Sequence, residues 1–261
     1  MARAGLAVTA ALAGAALGVE EENLRTQRAT PASWASTITP VPARGSLRTW
    51  WSADVAVGRR VALTFDDGPT EQFTGQVLDV LAKAAVPATF FVIGALAERH
   101  PDLLRRARDA GHEIGNHSYD HVSAAVHDRE QVRDAVLRGS DAVERVTGTR
   151  PRWFRAPRGE VTTATLLAVV EAGLDLAQWS VTRGDAADGD APGVERHLAG
   201  ALHPGAVVDL HDGIGRSSFS GPVDGDLMAR RRAELSTLPG LLPRWHADGW
   251  AFDTLSDLIP R

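Results

Sequence analysis

Val61-Ala62-Leu63-Thr64-Phe65 leads into Asp66-Asp67-Gly68-Pro69, residues 72–84 follow with helical spacing, and Ala88-Thr89-Phe90-Phe91-Val92 closes the stretch. The two outer runs are short, apolar and rich in β-formers. The whole therefore reads as strand, turn, helix, strand. Strands that are almost continuously apolar are covered on both faces, which is the habit of parallel sheets flanked by helices.

The alternation continues toward the C-terminus. Residues 101–110 read as a helix opened by Pro101 and closed by Gly111, followed by a strand at Glu113-Ile114. Helices are expected at 128–146, 162–172 and 193–202 and within 227–247, with strands at Trp153-Phe154, 174–179, 206–210 and 250–254. The reading is α/β: a parallel sheet covered by helices, closed as a (β/α) barrel or open and doubly wound. That domain is expected over 58–261.

Upstream the pattern is different. Residues 4–19 carry no charge, are rich in Ala, Gly, Leu and Val, and lie between Arg3 and the Glu20-Glu21-Glu22 run. Sixteen apolar or small residues fall short of the roughly 18–20 needed to span a bilayer. Small-residue sites at Ala11-Leu12-Ala13 or Ala13-Gly14-Ala15 make this an expected export signal over 1–19, implying a secreted or cell-envelope protein. An Ala-rich terminal helix on a cytoplasmic protein is the alternative. Residues 20–57, polar and punctuated by Pro31, Pro40 and Pro42, are expected to be a linker.

At 261 residues, 44% hydrophobic and 23% charged, the chain resembles neither a disordered polymer nor a multi-span membrane protein. A net charge of -5 removes any general attraction to phosphate backbones, so no nucleic-acid partner is expected. With no Cys there are no disulfides, thiolate ligands or thiol nucleophiles. A bound metal must use His, Asp, Glu or water.

Parallel α/β folds bind ligands at the carboxyl ends of their strands, and several strand ends here are charged. They are Asp66-Asp67, the His117-to-His121 segment, Arg155 to Arg158, Asp185, and His211-Asp212. Taken singly, each has a plainer reading. Asp-Asp-Gly-Pro is commonly a turn, and nine His in this length yield roughly 0.3 His-x-x-x-His pairs by chance. Arg155 is an ordinary ion-pair residue and His211 an ordinary core or helix-start histidine. Their joint placement after successive strands carries the argument. Two imidazoles and a carboxylate suit Zn²⁺ or a similar first-row ion, a second carboxylate beside the ligand can take a proton from water, and a separate histidine can protonate a leaving group.

With these residues in place, the chain resembles the metal-dependent polysaccharide deacetylases, carbohydrate esterase family 4 or the NodB-homology domain, over about residues 59–259. Thr64-Phe65-Asp66-Asp67-Gly68-Pro69 is similar to the family's first motif, implying Asp66 as general base and Asp67 as metal ligand. Gly111-His112-Glu113-Ile114-Gly115-Asn116-His117 through His121 resembles the second, implying that His117 and His121 complete the metal site. Phe154-Arg155-Ala156-Pro157-Arg158-Gly159 resembles the third, implying that Arg155 orients the base and Arg158 offers a backbone N–H to the oxyanion. Leu210-His211-Asp212 resembles the fifth, implying His211 as general acid. The implied fold is a distorted parallel (β/α) barrel of about seven units, and the implied cofactor one divalent ion, Zn²⁺ or else Co²⁺ or another first-row ion.

The fourth motif departs from the family. An Asp-Trp pair is usual there, but this chain has Asp185-Ala186. Asp185 is expected to orient His211, and the aromatic wall is expected to be missing unless Trp179 or Phe219 replaces it. Asp209, where an apolar residue is common, shares a strand face with His211 and can substitute for or supplement Asp185 as its partner, or pair with a neighbouring Arg. The expected activity is removal of N-acetyl groups from a sugar polymer such as peptidoglycan or chitin. Two alternatives are an amide hydrolase acting on a small cyclic amide or ureide, and a catalytically silent carbohydrate-binding module.

Overall fold

A computed structural model describes residues 36–41, 45–183, 190–219 and 225–260. Strands β1 (Ser36–Val41), β2 (Gly45–Trp50), β3 (Arg60–Asp66), β4 (Thr89–Val92), β5 (Glu113–Asn116), β6 (Trp153–Phe154), β7 (Asp175–Ala177), β8 (Val181–Thr182), β9 (Val207–His211) and β10 (Ala251–Asp253) form one sheet. Helices α1 (Thr74–Ala84), α2 (Gly94–Arg99), α3 (Pro101–Asp109), α4 (Arg129–Thr147), α5 (Thr163–Ala172), α6 (Ala191–Ala201), α7 (Gly225–Ala247) and α8 (Leu255–Leu258) are distributed between them.

Eight strands run parallel in the order β2-β7-β6-β5-β4-β3-β9-β8. β10 adds to β3 in parallel, and β1 is antiparallel to β2. The sheet curls into the expected distorted (β/α) barrel, with no ladder between β8 and β2 among the described residues.

Strand alternation decides which side chains meet inside. On β3, Val61, Leu63 and Phe65 pack outward in one core cluster with Val77, Leu78 and Leu81 of α1. Ala62 faces inward, joining Phe91, Trp153, Val207, Leu255 and Leu258 in a second cluster that fills the lower barrel. Thr64 and Asp66 continue the inward series toward the carboxyl end. The β3–β9 register sets Thr64 opposite Asp209 and Asp66 opposite His211. The lower barrel is apolar and the upper end polar.

Local signals hold the supporting helices. Asp128 caps α4, accepting from the Gln131 N–H while the Gln131 side chain accepts from the Asp128 N–H, and Gly148 closes the helix at φ 73°. Asn116, at the end of β5, donates to the Val136 carbonyl and to Ser140 Oγ on α4. That tie fixes the strand end from which His117 projects.

The linker reading of 20–57 needs correction from residue 36 on, where residues 36–41 form β1, paired with β2. Residues 45–50 are β2, whose Thr49 and Trp50 pair with Leu176 and Ala177 of β7, and Trp51 and Ala53 are buried. The edge of β7 exposes unpaired backbone groups that a further strand satisfies. Gly45 and the nearby prolines diluted the strand signal. Three short elements were also not foreseen: α2, β8 and α8, each too brief to show a period. No described helix is long and apolar enough to cross a membrane, and residues 1–19 lie outside the described residues.

Trp51 is 3% exposed in the segment that reads as linker. Trp51→Ala is expected to cost about 3–5 kcal/mol, as buried large aromatics do. Urea unfolding monitored by circular dichroism checks this, since an unanchored linker would leave the midpoint unchanged.

Candidate active site

Asp66 ends β3 and Asp67 follows it in the left-handed region at φ 77°. This turn points the two carboxylates differently. Gly68 is required next, because a Cβ there would lie 2.2 Å from Asp212 Oδ2. His117 leaves the end of β5, and His121 returns at φ 57° with its N–H donating to Ser118 Oγ at 3.0 Å.

The three sequence-derived ligands meet. One donor atom each from Asp67, His117 and His121 lies within 4.8 Å of the others, all three residues being buried. His121 Nε2 is 3.1 Å from Asp67 Oδ1, and His117 Nε2 is 3.6 Å from the same oxygen. His117 Nδ1 sits 2.9 Å from the Arg155 carbonyl, which can only accept. The proton is therefore on Nδ1, and Nε2 is the atom that faces the carboxylate.

Two further observations fit a cation at this point. Gly215, at φ 58°, lies beside it, and a Cβ there would come within 3.2 Å of His121 Cε1 and 3.3 Å of Asp67 Oδ1. The cradle is thus kept clear. Burial pushes the Asp67 carboxyl up, but the facing imidazoles prevail and hold it well below its ordinary value. Burial also works against protonated His117, yet Asp66 and Asp67 outweigh it and raise its pKa. A divalent ion would satisfy the same excess of negative charge.

The second carboxylate is held from one side. Arg155, 0% exposed, donates from Nη1 to Asp66 Oδ1 at 2.9 Å and to Thr64 Oγ1 at 2.7 Å, and from Nη2 to the Gln178 carbonyl at 2.9 Å. Asp66 Oδ2 lies 3.8 Å from His117 Nε2, toward the ligand cluster. Asp209 does pair with an Arg, its Oδ1 lying 3.6 Å from Arg155 Nη1 while Oδ2 accepts from Thr182 Oγ1 at 3.0 Å. Burial pushes Asp209 up to about 6. Asp212, the other carboxylate near Asp66, accepts from Thr74 Oγ1 at 2.6 Å, and burial pushes it up to about 7. It packs beneath the Gly68 turn rather than beside the ligands.

A cavity of about 280 Å³ joins these groups, lined among others by Asp66, Asp67, His117, His121, Arg158, Trp179, Asp209, His211 and Arg231. Arg158 adopts φ 58° within a tight turn, and Trp179 forms an aromatic wall. Phe219 is exposed. Asp185 and Ala186 lie outside the described residues.

Two site residues escaped the sequence reading. Arg231 of α7 donates to Asp67 Oδ2 at 3.1 Å and to the Gly213 carbonyl at 2.7 Å. Glu234, one turn on, accepts from the His211 backbone N–H at 2.5 Å and stands 3.4 Å from His211 Nδ1. The only hint was a three-residue spacing within Arg230-Arg231-Arg232-Ala233-Glu234, which reads as a solvated charged face.

Known proteins share this arrangement of sequence and fold. Residues 55–177 match the sequence profile of the polysaccharide deacetylase family. A chitooligosaccharide deacetylase of Bradyrhizobium sp. (strain ANU 289) is 43% identical over 164 residues, 61% of this chain and 74% of that protein. A peptidoglycan-N-acetylglucosamine deacetylase of Bacillus cereus is 32% identical over 199 residues, 76% of this chain and 68% of that protein. Among solved structures, the Bc1960 peptidoglycan N-acetylglucosamine deacetylase superposes with a TM-score of 0.70 at 30% identity, covering 80% of this chain and 91% of that one. BA3943 of Bacillus anthracis, a pseudoenzyme of carbohydrate esterase family 4, shares the fold at TM-score 0.68 and 20% identity, over 80% of this chain and 68% of its own.

His117→Ala is expected to abolish stoichiometric divalent-metal binding, and Gly215→Ala to weaken it about tenfold or more by crowding the cradle. Affinity should also fall at acidic pH, where the imidazoles protonate. Metal analysis after dialysis, with competition against a chromophoric chelator, tests all three. Full metal content in His117→Ala would remove that residue from the ligand set.

Proposed function

The chain belongs to the metal-dependent polysaccharide deacetylases, and from that premise we propose a residue-level mechanism in which Asp66 is the base, His211 the acid, and Asp67, His117 and His121 the metal ligands. The activity is metal-dependent deacetylation of an N-acetylated sugar polymer. The observation that carries the roles is the unequal treatment of two adjacent carboxylates. Asp67 Oδ1 faces two imidazoles, whereas Asp66 is bound by Arg155 through one oxygen and keeps the other free beside the ligands.

Asp67, His117 and His121 would hold a divalent ion, which we take to be Zn²⁺ from the all N/O donor set and which would polarise the acetyl carbonyl and acidify water. Asp66 Oδ2 accepts the proton of the attacking water, and Arg155 keeps the carboxylate from rotating away. The Arg158 N–H, in its φ 58° turn at the cavity wall, donates to the developing oxyanion. His211 protonates the departing sugar amine. Burial and Arg231 disfavour its imidazolium, but Asp209 and Glu234 outweigh them and raise its pKa to about 9. The acid thus stays protonated through neutral pH and is lost as pH rises through that value.

Trp179 offers the sugar an apolar face. The peptidoglycan and chitooligosaccharide deacetylases among the relatives support a polymer of N-acetylated amino sugars as substrate. An exported enzyme would meet such a polymer, in keeping with the apolar segment at 4–19.

Acetate release from peptidoglycan, chitin oligomers and acetylated xylan, with a cyclic ureide as control and with or without a chelator, tests the assignment. Chelator-sensitive release from an amino-sugar polymer is expected, whereas turnover of the ureide alone would replace this substrate class. Asp66→Asn should keep its metal and lose on the order of 10² to 10⁴ in kcat. Near-native turnover of that variant would move the base elsewhere.

A further inference from the structure

We propose that Glu234 is the positioning residue of the acid: from α7 it holds His211 in the tautomer and orientation that presents Nε2 to the leaving amine. The inference rests on the reading of His211 as acid. Glu234 Oε1 accepts the His211 backbone N–H at 2.5 Å and faces Nδ1 at 3.4 Å, so one oxygen anchors both the strand end and the ring. A carboxylate on Nδ1 retains the proton there and leaves Nε2 for the cavity that His211 lines.

Glu234 is 1% exposed and has no solvent to orient it. Its second oxygen makes no hydrogen bond and lies 3.5 Å from Arg183 Nε and 3.5 Å from Arg231 Nη1. Arg231 in turn binds Asp67 Oδ2. One face of α7 therefore supports both the acid and a metal ligand.

The charges acting on His211 come from Asp67 after β3, Asp209 on β9, and Arg231 with Glu234 on α7; Asp66 sits opposite it in the β3–β9 register, Arg155 binds Asp66, and Arg183 faces Glu234. Asp209 is committed elsewhere, to Thr182 and Arg155, and makes no hydrogen bond to the ring. Asp209 and Glu234 together outweigh the burial and the Arg231 charge that oppose the imidazolium.

The test measures pH profiles of kcat/KM, with kcat and KM separately, on a chitin oligomer for the metal-loaded full chain and its variants His211→Ala, Glu234→Gln, Glu234→Ala and Asp185→Asn. Glu234→Gln keeps an acceptor for both N–H groups and removes only the charge. It is expected to keep full metal content and KM, to lose about tenfold or more in kcat, and to move the alkaline limb to lower pH by about one unit. Glu234→Ala should lose more in kcat, and a nuclear magnetic resonance titration of His211 should report the same downward shift. A purely structural Glu234 would lower thermal stability and leave the alkaline limb in place, which overturns the proposal whatever Asp185→Asn does. If His211→Ala itself retains turnover, the assignment of the acid fails instead, a result distinct from an unmoved limb in Glu234→Gln.

Discussion

The guanidinium of Arg155, sealed from solvent at the end of β6, ties the catalytic end of the barrel together. It spans from the Thr64 and Asp66 side chains on β3 to the Gln178 carbonyl beyond β7, and lies 3.6 Å from Asp209 on β9. Its plane lies over the Phe91 ring at 4.2 Å, an apolar floor that leaves its charge to the carboxylates above. Removing one member of such a buried pair leaves an uncompensated charge, so Asp66, its arginine and the strand ends stand or fall together. Even its backbone is used, since the Arg155 carbonyl fixes the His117 tautomer.

The barrel interior is divided by the same alternation that builds it. Below, Ala62, Phe91, Trp153 and Val207 pack against α8. Above them, the next inward positions on β3 and β9 are Thr64, Asp66, Asp209 and His211. An inward acid at this level is costly unless paired. The pairing comes from outside the strands: Arg155, then Arg183 and Arg231 around Glu234. Asp66, Asp67, Asp209 and Glu234 thus share three guanidinium groups.

Fold resemblance alone does not carry the chemistry. A family pseudoenzyme shares this architecture at 20% identity. In the present chain the Asp67, His117 and His121 cluster is buried, the neighbouring carboxylate is held by one oxygen, and room is left beside Gly215.

The chain's own pattern determined the β-α alternation, the parallel barrel, and the residues of the Asp67-His117-His121 cluster, because each is written locally. A run such as Val61 to Phe65 declares a strand through its side chains, and Asp66-Asp67-Gly68-Pro69 declares its turn through residue types that few other conformations favour. The part of β2 and Trp51 in the barrel was not legible, since pairing to β7 is a property of an edge 120-odd residues away in sequence, not of the segment itself. Nor was the partnership of His211. Asp209 sits on its strand face as alternation requires, but the ring turns to Glu234, which arrives on a helix whose arginine-rich run looks solvated. Periodicity tells which face a residue takes, whereas only the packing of α7 over the barrel mouth decides which buried charge meets which, because that choice depends on distances of 3 to 4 Å between groups far apart in the chain.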